Sequence, residues 1–301
     1  SLEAASGKLG VAGAVSINTI ANVASTRLLR STVGHGLQNV SLSTEDSAAI
    51  QSVAGALAYG GKAGIGLSFA ANDISNTDTT EVIDSDIAAA GNVNLSATTD
   101  NSIETLAAAL GASKGHMAAA GAAAINTIAT QTQARSQNSN WEVQKDLSLL
   151  ADNSSSIQSY TGSAAIAEKA SLGASGSYNH LGGATLAEVR GGELDANGSV
   201  AVEARRSGAV TAAAIAGAGA QNLAFAGSIA INDLGGSTTA RMADGARIRA
   251  NKHVLLAAQD DEAISAFAGS LAISQKIGIG GAVALNDLHA NTTAEIIGSA
   301  T

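Results

Sequence analysis

The sequence predicts an all-β fold, a parallel β-solenoid, and three in-phase sets of residues predict it. An aliphatic residue follows a polar cluster at Ile50, Ile103, Ile157, Val210 and Ile264, at spacings of 53, 54, 53 and 54. A second aliphatic residue opens an apolar–polar alternation at Val40, Val93, Leu147, Val200 and Val254, with the same spacings. An asparagine follows a run of small residues at Asn18, Asn72, Asn126, Asn179, Asn232 and Asn286, at spacings of 54, 54, 53, 53 and 54. Three sets in one phase over 301 residues describe a single repetitive segment, with loops absorbing the one-residue differences. About 5.5 repeats of 53–54 residues fit, bounded near 1–48, 49–101, 102–154, 155–207, 208–261 and 262–301. The pattern starts and stops in mid-repeat, so the segment reads as part of a longer chain.

Each repeat has the same pieces in the same order. Residues 93–97 and 200–204 alternate apolar and polar side chains, the period of a half-buried strand. A polar kink is expected at Thr98-Thr99-Asp100-Asn101. An Ala/Gly-rich strand follows (103–112), then a turn bearing Gly and Lys, as in Gly60-Gly61-Lys62 or Ser113-Lys114-Gly115. A second small-residue strand returns to the asparagine, and a Thr/Glu/aliphatic stretch such as 79–83 ends the unit. Alanine is the best helix former. These runs are nevertheless broken by glycine, lack caps, and flow into Val15-Ser16-Ile17 and Ile229-Ala230-Ile231, which argues for strand over a helical repeat. Two geometries fit: one wide, flattened coil per repeat, with two arms of roughly 20 residues spanning about 65 Å, or three small coils of roughly 18 residues.

Composition supports a thin interior. There are 34 Gly, no Pro, no Cys and seven aromatic residues in all, and much of the 46% apolar fraction is alanine. Without cysteine, stability must come from repetitive backbone pairing. A net charge of −9 argues against a nucleic-acid partner. The longest apolar runs, such as 117–125, fall short of the roughly 20 residues of a membrane helix, so no membrane insertion is expected.

In stacked coils the asparagines can form an amide ladder that satisfies polar groups at a turn inside the stack. The plainer alternative is that asparagine tolerates a bulge or a left-handed conformation there. A third use, binding by Asn72-Asp73, Asn232-Asp233 and Asn286-Asp287, is weaker. Around 107–112, 118–125, 212–220 and 277–285 both alternating faces are small or apolar, so these strands should be covered on both sides. Either self-association through this Ala/Gly-rich ribbon or the repeat folding over itself would do so.

Catalytic chemistry is thinly represented. His35, His116, His180, His253 and His289 share no phase of the repeat and read as loop or solvated residues; with no cysteine, a closed zinc site is not expected. No nucleophile elbow, P-loop or Ca²⁺-binding nonapeptide is present. Asp84 with Asp86, and Asp260-Asp261-Glu262, read as solvated turns rather than hard-cation sites. A β-helix glycosidase or lyase would need a carboxylate pair, aromatic sugar platforms and irregular loops. An ice-binding array is broken: Thr79-Thr80, Thr238-Thr239 and Thr292-Thr293 are adjacent pairs, and Arg27-Leu28 and Leu186-Ala187 interrupt the column. The expectation is a non-enzyme with no cofactor and no metal.

Residues 12–20 (Ala-Gly-Ala-Val-Ser-Ile-Asn-Thr-Ile), their echo at 122–128 and the Gly-Asn-Val-Asn-Leu-Ser-Ala of 91–97 resemble the repeat regions of filamentous haemagglutinin-like and leukotoxin-family filamentous adhesins, large bacterial exoproteins. The resemblance covers nearly the whole chain. It implies export by a two-partner or autotransporter route, a secreted or cell-surface location, and a stalk role in adhesion, aggregation and virulence. The partner would be a host or neighbouring-cell receptor or glycan. It assigns no binding residue.

Overall fold

The computed structural model describes residues 1–298 and 300; for residues 35–37 only the course of the backbone is described. The chain is a parallel β-solenoid without helix among the described residues. One repeat is one wide coil: every strand pairs in parallel with the strand 53 or 54 residues away, as in Val93↔Leu147↔Val200↔Val254 and Met117↔Ala170↔Leu223↔Ile277. The alternative of three small coils per repeat is thereby excluded.

Two sheets result. The first-arm sheet stacks Val93–Ser113, Leu147–Ile166, Val200–Ala220 and Val254–Ser274. The return-arm sheet stacks Met117–Val143, Ala170–Ala196, Leu223–Ala243 and Ile277–Ile296. The strand Val40–Ile74 runs through the reversal and belongs to both sheets. Leu2–Ile20 likewise pairs along both halves of Val40–Ile74. No kink interrupts the first arm: Thr98, Thr99, Asp100 and Asn101 lie inside the continuous strand Val93–Ser113. Their polar side chains divide between an outward row and a buried row, so the polarity reflects the coil's interior rather than a bend.

The arms pack face to face, and strict alternation sends every second side chain inward. The interior is layered along the arm. At the thick end Val93, Leu95, Leu147, Leu149, Val200 and Val202 pack with Trp141 and Leu194. A polar layer follows, then an aliphatic layer of Ile50, Ile74, Ile103, Ile128, Ile157, Leu181, Val210 and Leu234. The asparagine layer comes next, and the thin end is filled by small residues, mostly Ala, as at Ala54, Ala56, Ala107, Ala109, Ala118 and Ala120, with buried serines such as Ser163, Ser171 and Ser228 among them. The sheets nearly touch there: a Cβ on Gly64 would lie 2.1 Å from the Ala112 carbonyl oxygen, and one on Gly111 2.1 Å from that of Ala119. Helix is therefore unavailable to the alanine runs, whatever their propensity, because only an extended backbone fits the gap.

The arms are covered on one face only. Inward residues such as Ala107 and Ala109 are buried, whereas outward Leu106 and Leu110 are about half exposed (47% and 49%). The expectation of cover on both sides from within the coil is not met. The return arm lies against the inner face of the first arm and cannot reach its outer one.

Gly111→Ala should therefore force the two sheets apart. We expect a loss of about 1–3 kcal/mol in urea unfolding, while the outward substitution Ala108→Val, one strand face away, should be near neutral.

Candidate functional site

The most ordered polar feature is the asparagine column. Nδ2 of Asn18 donates to Oδ1 of Asn72, and the same 2.8 Å bond repeats from Asn72 to Asn126, Asn126 to Asn179, Asn179 to Asn232 and Asn232 to Asn286. Thr105 on the facing arm donates to Asn126 Oδ1 at 2.7 Å. The column stands in mid-strand on the return arm, not at a turn, and no asparagine in it has a positive φ. The bulge and left-handed readings therefore fail. An amide presents a donor and an acceptor on opposite edges, so a 4.8 Å stack of identical amides satisfies itself. The Asn72–Asp73, Asn232–Asp233 and Asn286–Asp287 pairs are split between faces: the asparagine points in and the aspartate out.

The aliphatic anchors flank this column. Ile50, Ile103, Ile157 and Val210 are buried beside it, with Ile264 partly buried. Val93, Leu147 and Val200 are buried at the thick end, with Val40 partly buried; Val254, in the last coil, is half exposed.

Between the two aliphatic layers lies a buried polar layer that changes from coil to coil. Asp46 accepts from Asn22 at 3.0 Å and from Asn76. Asp78 accepts from Thr99 at 2.6 Å, and Thr99 lies 2.7 Å from Thr132. Burial pushes the Asp78 carboxyl above the usual range, against the pull of the Thr99 hydrogen bond. In the same register, Thr99↔Asn153↔Arg206↔Asp260 places a guanidinium inside the stack. Arg206 lies 2.5 Å from Glu262 and 3.7 Å from Asp260, and donates to the Gly235 carbonyl at 2.7 Å. Burial raises the Glu262 carboxyl, and Arg206 opposes it. The return arm makes room with glycine: a Cβ on Gly236 would sit 2.6 Å from Arg206 Nη1. Asp260 and Glu262 are thus buried partners of a cation in a strand, not part of a solvated turn.

Two regularities on the coil surface carry no signal in the three anchor sets. The column Arg27↔Glu81↔Arg135↔Glu188↔Arg241↔Glu295 alternates in sign at every coil. Arg27 pairs with Glu81, and Glu188 takes Arg135 at 3.1 Å and Arg241 at 2.6 Å. The corner of each coil is left-handed at one register position, Arg30, Asp84, Asn138, Gly191, Asp244 and Gly298, with φ between 46° and 62°. Both were legible as 53- or 54-residue columns once the charged and turn residues were aligned with the asparagines.

The histidines are dispersed. His35 lies outside the residues whose side chains are described. His116 and His253 lie at the turns between arms, whereas His180 and His289 stand on strands rather than loops. His180 Nδ1 is 2.9 Å from Asp233, and His289 Nδ1 is 3.4 Å from the same carboxylate. Asp233, Asp287 and His289 bring three ligand atoms within 4.8 Å of one another, Asp233 half-buried and the other two exposed. The carboxylates that share one hollow, Glu142, Glu193 and Asp195, share it with Arg249, which pairs with Glu193. A hollow of about 590 Å³ forms an open saddle on the return arm's outer face. Gly13, Gly121 and Gly176 form its floor and Val15, Leu67 and Phe69 rise beside them, without the convergent polar groups of a small-molecule site.

No family model, curated protein or solved structure matches the chain. The fold and its columns therefore carry the functional reading.

Asn126→Ala removes one of the two acceptors of the Asn72 amide, whose other is Thr105 Oγ1, and leaves the Thr105 hydroxyl without its acceptor and the Asn179 carbonyl without its donor. We expect a loss of about 2–4 kcal/mol in urea unfolding from two orphaned buried groups, with far-UV circular dichroism unchanged below the transition. Arg206→Met strands Glu262 and Asp260, at a cost of about 3–5 kcal/mol at neutral pH. A carboxyl whose folded pKa is raised binds its proton more tightly in the folded state, so its contribution to stability falls as pH rises from the unfolded pKa through the folded one. The Arg206→Met deficit should accordingly shrink as the urea midpoint is followed from pH 8 down to pH 4. By the same sign, Asp78→Asn should raise the midpoint at pH 7 and lose that advantage at pH 4.

Proposed function

We propose that this chain is a non-catalytic, load-bearing stalk segment of a secreted bacterial surface adhesin. The observation that supports this reading is the in-register stack: each coil hydrogen-bonds to its neighbours along both arms over 20 or more residues. Such a stack spreads force over many parallel backbone bonds and keeps a fixed rise per coil, as a spacer requires. Glu193 in the carboxylate-lined hollow is paired with Arg249, and the open apolar saddle gathers no convergent polar groups, so neither hollow supports glycan cleavage. In this reading the partner, a receptor or glycan on a host or neighbouring cell, meets the protein through its outer columns. A self-assembling extracellular fibre subunit is the second reading, favoured by the apolar outer faces of both sheets.

Single-molecule pulling from the two ends tests the stalk. We expect a series of high-force events, each releasing one coil of 53–54 residues, about 180–190 Å of contour length. One low-force event releasing the whole chain would count against a load-bearing role. Release of reducing ends from a mixed-glycan panel would overturn the non-catalytic reading.

A further inference from the structure

At the thin end the outward positions of both sheets are apolar in every coil but for Ser6 in the first. On the return arm five successive outward columns run from Leu9↔Ala63↔Met117↔Ala170↔Leu223↔Ile277 to Ile17↔Ala71↔Ile125↔Tyr178↔Ile231↔Leu285. Between them lie only Val, Ile, Leu, Phe, Ala and Gly. On the first arm four columns do the same, from Val53↔Leu106↔Tyr160↔Ala213↔Phe267 to Tyr59↔Ala112↔Ile166↔Gly219↔Ile273. Apart from Ser6, which extends the Tyr59 column into the first coil, no charge, amide or aliphatic hydroxyl stands on either patch. The return-arm patch is about 28 Å along the strand, at ~3.3 Å per residue, and about as wide across six coils at ~4.8 Å. That is on the order of 750 Å², above the largest patch of an ordinary monomer. Leu67 (53% exposed), Leu110 (49%) and Ile215 (51%) show that neither patch is covered within the chain.

Both ends of the band are polar. Beyond it toward the thick end come the columns Thr19↔Asp73↔Thr127↔His180↔Asp233↔Asp287 and Gln51↔Glu104↔Gln158↔Thr211↔Ser265. At the tip, the residue just before the return arm is Lys8, Lys62, His116, Lys169, Asn222 or Lys276, with Lys114 two residues before His116. Five of the seven lysines of a chain with net charge −9 thus form one row at the tip. All three tyrosines lie at the band's margins: Tyr59 beside the tip, Tyr160 and Tyr178 beside the polar columns.

We propose that the thin end is a lipid-facing blade, seated edge-on in a bilayer with the lysine row in the far headgroups. The apolar band of about 23–28 Å matches the ~25 Å apolar belt of membrane-spanning strands and approaches the ~30 Å hydrocarbon core. Tyrosines at its borders and lysines beyond it fall where interfacial anchors and anionic headgroups lie. Between the first and last coils every strand of the blade is hydrogen-bonded on both edges, as hydrocarbon demands. That no helix among the described residues is long and apolar enough to cross a membrane has no bearing on a span made by strands. A second copy of the chain fits less well. Docking on one patch leaves the patch on the other sheet open, so pairing would not close, and parallel copies would set lysine row against lysine row. Hydrocarbon covers both patches at once.

The test is refolding by dilution from urea into vesicles of phosphatidylcholine with or without one quarter phosphatidylglycerol, followed by flotation. We expect the chain to float with both, and more completely with the anionic lipid. The sequence has no cysteine, so Ala123→Cys, Lys114→Cys and Asn94→Cys give single sites for a polarity-sensitive dye. The dye at 123 should shift to the blue, the dye at 114 should be shielded from an external impermeant quencher, and the dye at 94 should remain open to it. Leu67→Lys with Leu110→Lys, both outward and solvent-exposed, should leave circular dichroism unchanged and lower vesicle partitioning at least ten-fold. Failure to float, or quenching at 114 as strong as at 94, would overturn the proposal. So would concentration-dependent association without lipid that vesicles do not displace and the double substitution abolishes, which would assign the patches to a second copy. The coil-by-coil pulling signature is independent of each of these results.

Discussion

The parallel pairing of residue i with residue i+53 or i+54 is the constraint on which the rest of the molecule depends. It places every side chain directly above its counterpart in the preceding coil, about 4.8 Å away. Each register position thereby becomes a column, and its chemistry must be tolerable to itself. Asparagine meets the requirement with a self-complementary amide, 2.8 Å from its neighbour at every step. Charge meets it only by changing sign, as Arg27, Glu81, Arg135, Glu188, Arg241 and Glu295 do. A corner meets it by being left-handed in every coil.

The second constraint is the separation of the two sheets, which narrows from the Trp141 end to the alanine end. Where the gap is wide, the interior accepts isoleucine, leucine and one tryptophan. Where it is narrow, a Cβ at Gly64 or Gly111 would meet a carbonyl oxygen of the opposite arm. The polar layer between shows how a departure is accommodated. Arg206 enters a column that elsewhere holds Asp, Thr and Asn, and it does so beside two carboxylates of the next coil and a glycine pair on the facing arm. A change in one coil is compensated across the coil and along the stack together.

Rigid stacking also divides the molecule into a scaffold and two kinds of surface. The thick half presents ion pairs, hydroxyls and carboxylates to water. The thin half presents aliphatic columns on both sheets and ends in lysines. A stalk needs only the first kind of surface. The second, repeated through six coils on the return arm and five on the first, motivates the lipid-facing blade. Both assignments draw on the same regularity, the parallel register that stacks each position upon its counterpart in the next coil.

The sequence by itself determined the repeat, the strand character and the parallel stacking, since a 53- or 54-residue period in Ile50, Val40 and Asn18 and their successors survives any choice of coil shape. It also offered an asparagine ladder, beside a bulge or left-handed turn, and the one-coil repeat decided for the ladder. Only the tertiary structure decided what faces what. The polar residues 98–101 look like a kink in the linear text and prove to be a continuous strand, because the interior of this coil has polar layers. Asp260 and Glu262 look solvated and prove to be buried, because Arg206 lies 54 and 56 residues earlier and Gly235–Gly236 on the facing arm. The small residues on both faces of the arms look doubly covered, yet only the inner face is. Alternation along a strand shows that its two faces differ, or do not. Which of them meets the opposite sheet depends on where the chain turns back, and that is fixed by contacts between residues far apart in the sequence.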